Sequence, residues 1–395
     1  MYNADIFVKL LPIPKLYSTI YRLSHCMSTK NILNDDGAAP IRLDQRLYEL
    51  DFIRFTAALM VVFFHYTFRA FITGDYTAVR YDALSVISKY GYLGVNLFFI
   101  ISGFVIVMTA LDRDWRQFLV SRLVRLYPAY WAAIIATTVA ILSFGDAHFS
   151  ISLKKFLVNF TMFQEWVGVD SIDGVYWTLM IEMKFYLMVL VVIFAKKMDR
   201  LPKLLLGWLL ISALYLLFPH TKFGYILDAI FIARWSPYFI AGVALFLIWR
   251  KGDSVLLWSM VVCAYVFALA GADSERFAYM QRYRSELDRD IVSGMISAFF
   301  IFLAIVARRK MTFPKSRLLI AAGAVTYPLY LCHQYIGYMA LNMFESYFNK
   351  YVLLILVFTI SLLLAYSLHR FVERPFAPLL KTKLNALLKI KKSAN

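Results

Sequence analysis

The sequence is short of cysteine, of charge and of histidine. Its three cysteines, Cys26, Cys263 and Cys332, lie far apart in 395 residues, and none belongs to a Cys-x-x-Cys pair. That spacing indicates neither a disulfide framework nor a zinc site, and the three read as ordinary apolar filling. Charged residues make up 17% of the chain, against about 25% in a soluble protein. No internal repeat, low-complexity linker or appended soluble domain is visible. The first 46 residues lack the basic start, apolar run and small-residue cleavage site of a signal peptide. Within them, DIFVKLLPIPKLYSTIYRL has the composition of an interfacial helix that Pro12 and Pro14 would keep short, and Met27 is a second candidate start.

What replaces charge is apolar surface. Hydrophobic residues account for 61% of the chain and the mean hydropathy is +0.64. A soluble chain of this length would divide into roughly two or three domains; this one reads as a single all-α domain embedded in a membrane. Apolar runs of about 20 residues bounded by polar clusters are expected to be transmembrane helices. Ten are expected, near residues 50–72, 90–110, 127–144, 174–195, 203–219, 229–249, 254–271, 290–307, 317–344 and 351–370. With the N-terminus inside, lysine and arginine divide 28 to 10 between the inner and outer segments. This bias predicts that both termini are cytoplasmic. The net charge of +17 is then topology rather than a nucleic-acid footprint. The outer loop 145–173 contains SLKKFLVNFTMF, which has the pattern of a short interfacial amphipathic helix.

Against that background a few ionisable residues stand inside the spans, where each costs at least about 2.5 kcal/mol at the bilayer centre. The first span reads RFTAALMVVFFHY, with Arg54 at its inner end and His65 eleven residues on. At ~1.5 Å and ~100° per residue the two share a face and lie ~16 Å apart in depth. Glu182 on the fourth span lies at a similar level to His65, with Arg234 entering on the sixth and Tyr327, Tyr330 and His333 on the ninth. A second cluster forms the inner rim: Arg122 and Arg125 in SRLVRLYPAYW and Arg374 in VERPF. Each has a plain structural reading, as a satisfied bundle histidine or a headgroup anchor. Lys184 reads as snorkelling or paired with Glu182, His369 as interfacial, and His25, His148 and His220 as loop or tail residues. Together they suggest an anion site at one end of a bilayer-spanning site. Histidine with a carboxylate supplies a general base, and arginine forks pair with phosphate oxygens.

The ordered segments LDFIRFTAALMVVFFHY, YLGVNLFFIISGFVI, SRLVRLYPAYW, YWTLMIEMKFYL, TYPLYLCHQYI and VERPF resemble the motifs of acyltransferase family 3, over about residues 46–380. The resemblance implies transfer of an acyl group, commonly acetyl, from cytoplasmic acyl-CoA to a hydroxyl of a glycan or glycolipid. It implies Arg54 and His65 as an essential pair, Glu182 as the fourth-helix acid, and Arg122 and Arg125 as the inner basic motif. His333 and Tyr327 fall on its ninth-helix pattern and Ser102 on its Ser-Gly-Phe. Phe52, Phe55, Asn96, Met183 and Lys184 depart from the pattern, and Asn96 and Lys184 are given no role. Many relatives carry a hydrolase-like domain beyond the last helix; this chain ends about 25 residues past its last expected span, so such a partner would be a separate protein.

The sequence-based expectation is therefore a bacterial inner-membrane O-acyltransferase, with a membrane domain at 47–380 between a cytoplasmic tail at 1–46 and a basic tail at 381–395. Acyl-CoA phosphates would rest on Arg122, Arg125, Arg54 and Arg374, and the catalytic set would be His65, Glu182, Arg54 and His333. Arg234, Tyr327 and Ser102 would contact substrate. No metal and no nucleic acid is implied; lipids, acyl-CoA and a glycan acceptor are. His65 would act as the base, oriented by Glu182 or a neighbouring polar group, with an acyl relay through Ser102 as a variant. The rival class is a transporter or flippase using the same residues as a proton or substrate path. The absence of an inverted repeat and the one-sided basic cluster speak against it.

Overall fold

The computed structural model describes residues 46–72, 76–146 and 148–390. The expected N-terminal interfacial helix, the alternative start at Met27 and the last five residues of the basic tail lie outside them. The described residues are helical, with no strand. We number the principal helices α1 Tyr48–Ile72, α2 Gly94–Ala110, α3 Trp115–Phe144, α4 Trp177–Phe194, α5 Leu201–Leu217, α6 Ser236–Lys251, α7 Val255–Tyr283, α8 Arg289–Ala307, α9 Arg317–Cys332, α10 Gln334–Phe344, α11 Lys350–Ser367 and α12 Arg374–Leu387. Among the described residues nine helical stretches are long and apolar enough to cross a membrane, and α9 is a shorter apolar helix. This is the architecture of a multi-pass membrane protein, since only structures that satisfy their own backbone can span hydrocarbon.

The departures from the expected spans have local causes. α3 begins twelve residues before the apolar run because Asp114 accepts the N–H groups of Arg116 and Gln117, while Gln117 returns a side-chain oxygen to the Asp114 N–H. This capping box starts a helix wherever it stands, so α3 carries Arg122 and Arg125 on regular helix. The sixth span divides at Ile232, which is left-handed (φ 48°), and restarts as α6 with Pro237 in its first turn. α7 runs to Tyr283, well past the expected end at 271, and carries Glu275 buried with it. The expected span 317–344 is two helices that meet at His333. In the loop between α3 and α4 the amphipathic segment forms the seven-residue helix Leu153–Asn159, started by the Ser152 side chain.

α2 and α6 are the most enclosed of the spans and cross at close range. A Cβ added at Gly103 would strike the Phe239 carbonyl, and one at Gly242 the Ile100 carbonyl. The glycine of the Ser-Gly-Phe motif therefore admits a neighbouring backbone, as small residues do in membrane bundles, and the crossing fixes Ser102 beside it. Exposed apolar residues such as Leu206, Leu210, Val262, Val266, Ile301, Ile355 and Leu363 lie on the opposite faces of α5, α7, α8 and α11, the surfaces that acyl chains would cover.

Candidate active site

A cavity of about 800 Å³, counted with its open mouth, lies among α1, α2, α3, α4 and α9. Its polar lining includes Arg54, Ser102, Arg122, Arg125, Glu182 and Tyr327. Three guanidinium groups thus face one carboxylate. Ser102 Oγ donates to Glu182 Oε1 at 2.8 Å, and the Tyr186 hydroxyl donates to the same oxygen at 2.7 Å. Arg122 stands over the rings of Phe118 and Tyr186 at 5.7 and 5.8 Å. Arg125 covers Tyr327 at 5.6 Å and lies 3.6 Å from Glu373. Glu373 in turn accepts from His369 Nδ1 at 2.7 Å. Stacking on aromatic faces holds the planar guanidinium groups in place and leaves their edges for an anion.

His65 and His333 are not in this lining; they form a buried pair beyond it. His65 opens a π-wound stretch, His65–Arg69, near the end of α1. Its Nδ1 lies 2.9 Å from His333 Nε2. The helix break determines who donates. His333 Nδ1 lies 2.9 Å from the Tyr330 carbonyl and 3.1 Å from the Leu329 carbonyl. Carbonyls only accept, so Nδ1 carries the proton. With both rings neutral, His333 Nε2 is then an acceptor and His65 Nδ1 its donor. His65 Nε2 is left with its lone pair, and the Arg69 guanidinium donates to it at 3.3 Å. Tyr66 secures the same break, donating to the His333 carbonyl at 2.8 Å.

Tyr330 separates the two parts. It lines the cavity, its hydroxyl is 2.7 Å from that of Thr178, and its ring centroid is 5.8 Å from that of His333. On the far side of His65 the Tyr338 ring packs edge-on at 6.1 Å, and Tyr76 stacks on Tyr338 at 4.5 Å. Below the break, buried Asp173 accepts the N–H groups of Val175 and Tyr335, capping the helical start that leads into α4 and that of α10 with one carboxylate. Burial pushes its pKa up to about 7, against the two backbone N–H groups and the nearby Arg69 charge, which lower it.

The structure brings Arg54, Ser102, Arg122, Arg125, Glu182 and Tyr327 together in one cavity and joins His65 to His333 beside it. It differs from expectation at four points. The carboxylate of Glu182 serves Ser102 and Tyr186, and the direct partner of His65 is the neighbouring polar group, His333. Arg374 is exposed and outside the cavity lining. Adjacent helical residues do not share a face, and the π-wound turn Leu368–Glu373 presents buried Glu373 to Arg125 instead. Arg234 is exposed at the foot of α6, stacked on Trp235 at 4.9 Å, and no α6 residue lines the cavity. Lys184 does not pair with Glu182 but lies within electrostatic reach of Glu165 in the preceding loop.

Two residues beside the histidine pair and one buried acid outside the site escape the motif reading. Arg69 has a legible signal, its spacing of four from His65 on one helix. Asp173 and Glu275 do not: the first is a loop acid, and the second lies past the end of the apolar run. Asn96, given no role, donates to Glu275 at 3.3 Å. Among the described residues no group of three or more His, Cys, Asp or Glu gathers as metal ligands.

No solved structure matches the chain. A curated relative, ORF330 of Acidianus two-tailed virus, named provisionally as an acetyltransferase, is 22% identical over 259 residues, covering 62% of this chain and 72% of its own length. The acyltransferase domain model of family 3 matches residues 47–370, from the residue before α1 to the π-wound turn after α11. A match of that extent includes the arginine-lined cavity and the histidine pair alike, and the chain belongs to acyltransferase family 3.

Proposed function

We propose that this protein is a membrane O-acyltransferase that moves an acyl group, most simply acetyl, from acyl-CoA to a hydroxyl of an exported or cell-surface glycan. One arrangement carries the reading: a cavity lined by three arginines abuts, across Tyr330, a histidine whose lone pair is fixed by its neighbours. The cavity suits the donor. Phosphates of CoA would pair with Arg122 and Arg125, and Arg54 with Glu182 would line the path of the pantetheine arm toward Tyr330. With Tyr330 turned aside, the thioester carbonyl would reach the level of His65.

His65 Nε2 then takes the proton of the acceptor hydroxyl as its oxygen attacks the thioester carbon. The tetrahedral intermediate collapses, the carbon–sulfur bond breaks, and the proton passes from Nε2 to the CoA thiolate. His333 keeps His65 in the required tautomer and accepts from it throughout, the part that an orienting group plays in a triad. On the other side Tyr76, half-buried and stacked on the buried ring of Tyr338, would offer a sugar face a surface. In this reading the donor side faces the cytoplasm of a bacterial cell and the chain lies in its inner membrane, and the lysine and arginine bias supports that orientation.

The test is incubation of the purified protein with labelled acetyl-CoA and a mixture of glycan acceptors. Wild type should consume the donor and label an acceptor, and His65→Ala should insert and bind donor but transfer nothing. Transfer by that variant at the wild-type rate would sink the assignment of His65. Inertness of wild type with proton-coupled uptake would favour the transporter class.

A further inference from the structure

We propose that Arg69 is a catalytic residue of this reaction: it covers the lone pair of His65 at rest and, once the acceptor displaces it, binds the oxyanion of the tetrahedral intermediate. The assignment rests on the acyltransferase reading above. It follows from where the proton on His333 is held. That proton directs His65 Nε2 away from His333, and the group found on Nε2 is the Arg69 guanidinium at 3.3 Å. The contact is long for a charge-assisted hydrogen bond, as expected of a donor that an incoming hydroxyl replaces.

Position supports the second half of the role. When the hydroxyl occupies Nε2, the carbon it attacks lies within one further bond length, and the displaced guanidinium is beside that carbon's oxygen. Arg54 is eleven residues before His65 along α1, ~16 Å from it by helical rise, and lines the other compartment with Arg122 and Arg125. Arg69 is also held by its surroundings. The phenols of Tyr76, Tyr279, Tyr283 and Tyr338 and the carboxyl of Asp173 all lie within its electrostatic reach, from four other parts of the chain. A donor fixed before the reaction, in a site closed to water, is the arrangement that stabilises developing negative charge. The guanidinium makes no bond in the reaction: the proton goes to His65 and returns to sulfur, and Arg69 supplies N–H donors to the transient oxygen anion alone.

The experiment measures kcat, KM and acetyl-CoA Kd for Arg69→Ala, Arg69→Lys and, in parallel, His65→Ala, with methylguanidinium added to each. Loss of one such donor lowers kcat by about 10²–10³-fold. Arg69→Ala should show that loss with acetyl-CoA Kd changed less than threefold, and methylguanidinium should restore part of kcat to it but none to His65→Ala. Arg69→Lys, which keeps the charge and loses the fork, should fold and lose at least tenfold in kcat; it carries the test should Arg69→Ala fail to fold. A kcat within threefold of wild type in either variant, or a loss confined to acetyl-CoA affinity, overturns the assignment. If His65→Ala itself transfers normally, the acyltransferase reading through His65 falls and Arg69 falls with it. If His65→Ala is dead while the Arg69 variants work, only Arg69 is wrong.

Discussion

The position of one proton, on His333 Nδ1, decides what His65 is able to do. Two carbonyls of the preceding turn hold it there, in the last turn of α9, where that of Leu329 also accepts the His333 N–H. The chemistry of the pair is thus set at a helix terminus, where a carbonyl of the last turn can be shared with a side chain. The arginines of the cavity are simpler. Arg122 and Arg125 each stand on an aromatic face, and a charge-assisted hydrogen bond to phosphate is worth about 1.5–3 kcal/mol. Arg122→Ala and Arg125→Ala should each weaken acetyl-CoA binding by about 10–100-fold with little change in kcat, and the effect should shrink at high salt. Arg125 is the more exposed of the two and already faces Glu373, so its loss should be the smaller. Equilibrium binding of the donor to the purified variants checks both, and unchanged affinity would remove them from the donor site.

At the scale of elements the site is built at joints: the π-wound end of α1, the break between α9 and α10, and the turn before α4. Asp173 caps two of these helical starts at once, and its titration should be visible in stability. Its carboxyl moves from an ordinary 3.8 to about 7 on burial, so the folded protein binds the proton more tightly than the unfolded chain. The stability this supplies is complete below about pH 4 and lost as pH rises through about 7. Asn cannot titrate, so the advantage of wild type over Asp173→Asn in thermal unfolding should fall between pH 5 and pH 8. A difference that stays constant with pH would assign to Asp173 hydrogen bonding alone. The same joints explain what the sequence made legible. Spans and in-span charges follow from composition and period, so Arg54, His65, Arg122, Arg125 and Glu182 could be singled out, with Ser102 added by the family resemblance. Their grouping was legible only in part, since Glu182, expected at the level of His65, lies with the arginines. The break at His333 could not: Pro328 lies inside α9 without ending it, and nothing in TYPLYLCHQYI signals a stop. The pairing of His65 with His333 spans 268 residues and depends on that break. Glu275 was hidden for a related reason, because α7 continues into polar sequence beyond its apolar run.

For the whole molecule the two compartments have opposite aspects. α1 leaves the end marked by Tyr48, and Arg54, Arg122 and Arg125 lie toward that end, near the starts of α1 and α3. His65, Arg69 and the Tyr338–Tyr76 stack lie toward the end marked by Ile72. A donor confined to the cytoplasm and an acceptor outside it could then react without either crossing the bilayer, provided that the Tyr48 end is cytoplasmic. The 28-to-10 distribution of lysine and arginine predicts that orientation, and it can be measured without any assay of transfer. In a chain with Cys26, Cys263 and Cys332 replaced by alanine, single cysteines would be placed at exposed Lys381 on α12 and exposed Phe348 between α10 and α11. A membrane-impermeant maleimide should label Lys381→Cys only in inverted vesicles and Phe348→Cys only in right-side-out ones. The reverse pattern would put the arginine cavity on the side without acyl-CoA. Since a thioester of that size and charge does not cross a bilayer unaided, that result would dismiss Arg122 and Arg125 as donor ligands while leaving the histidine pair untouched.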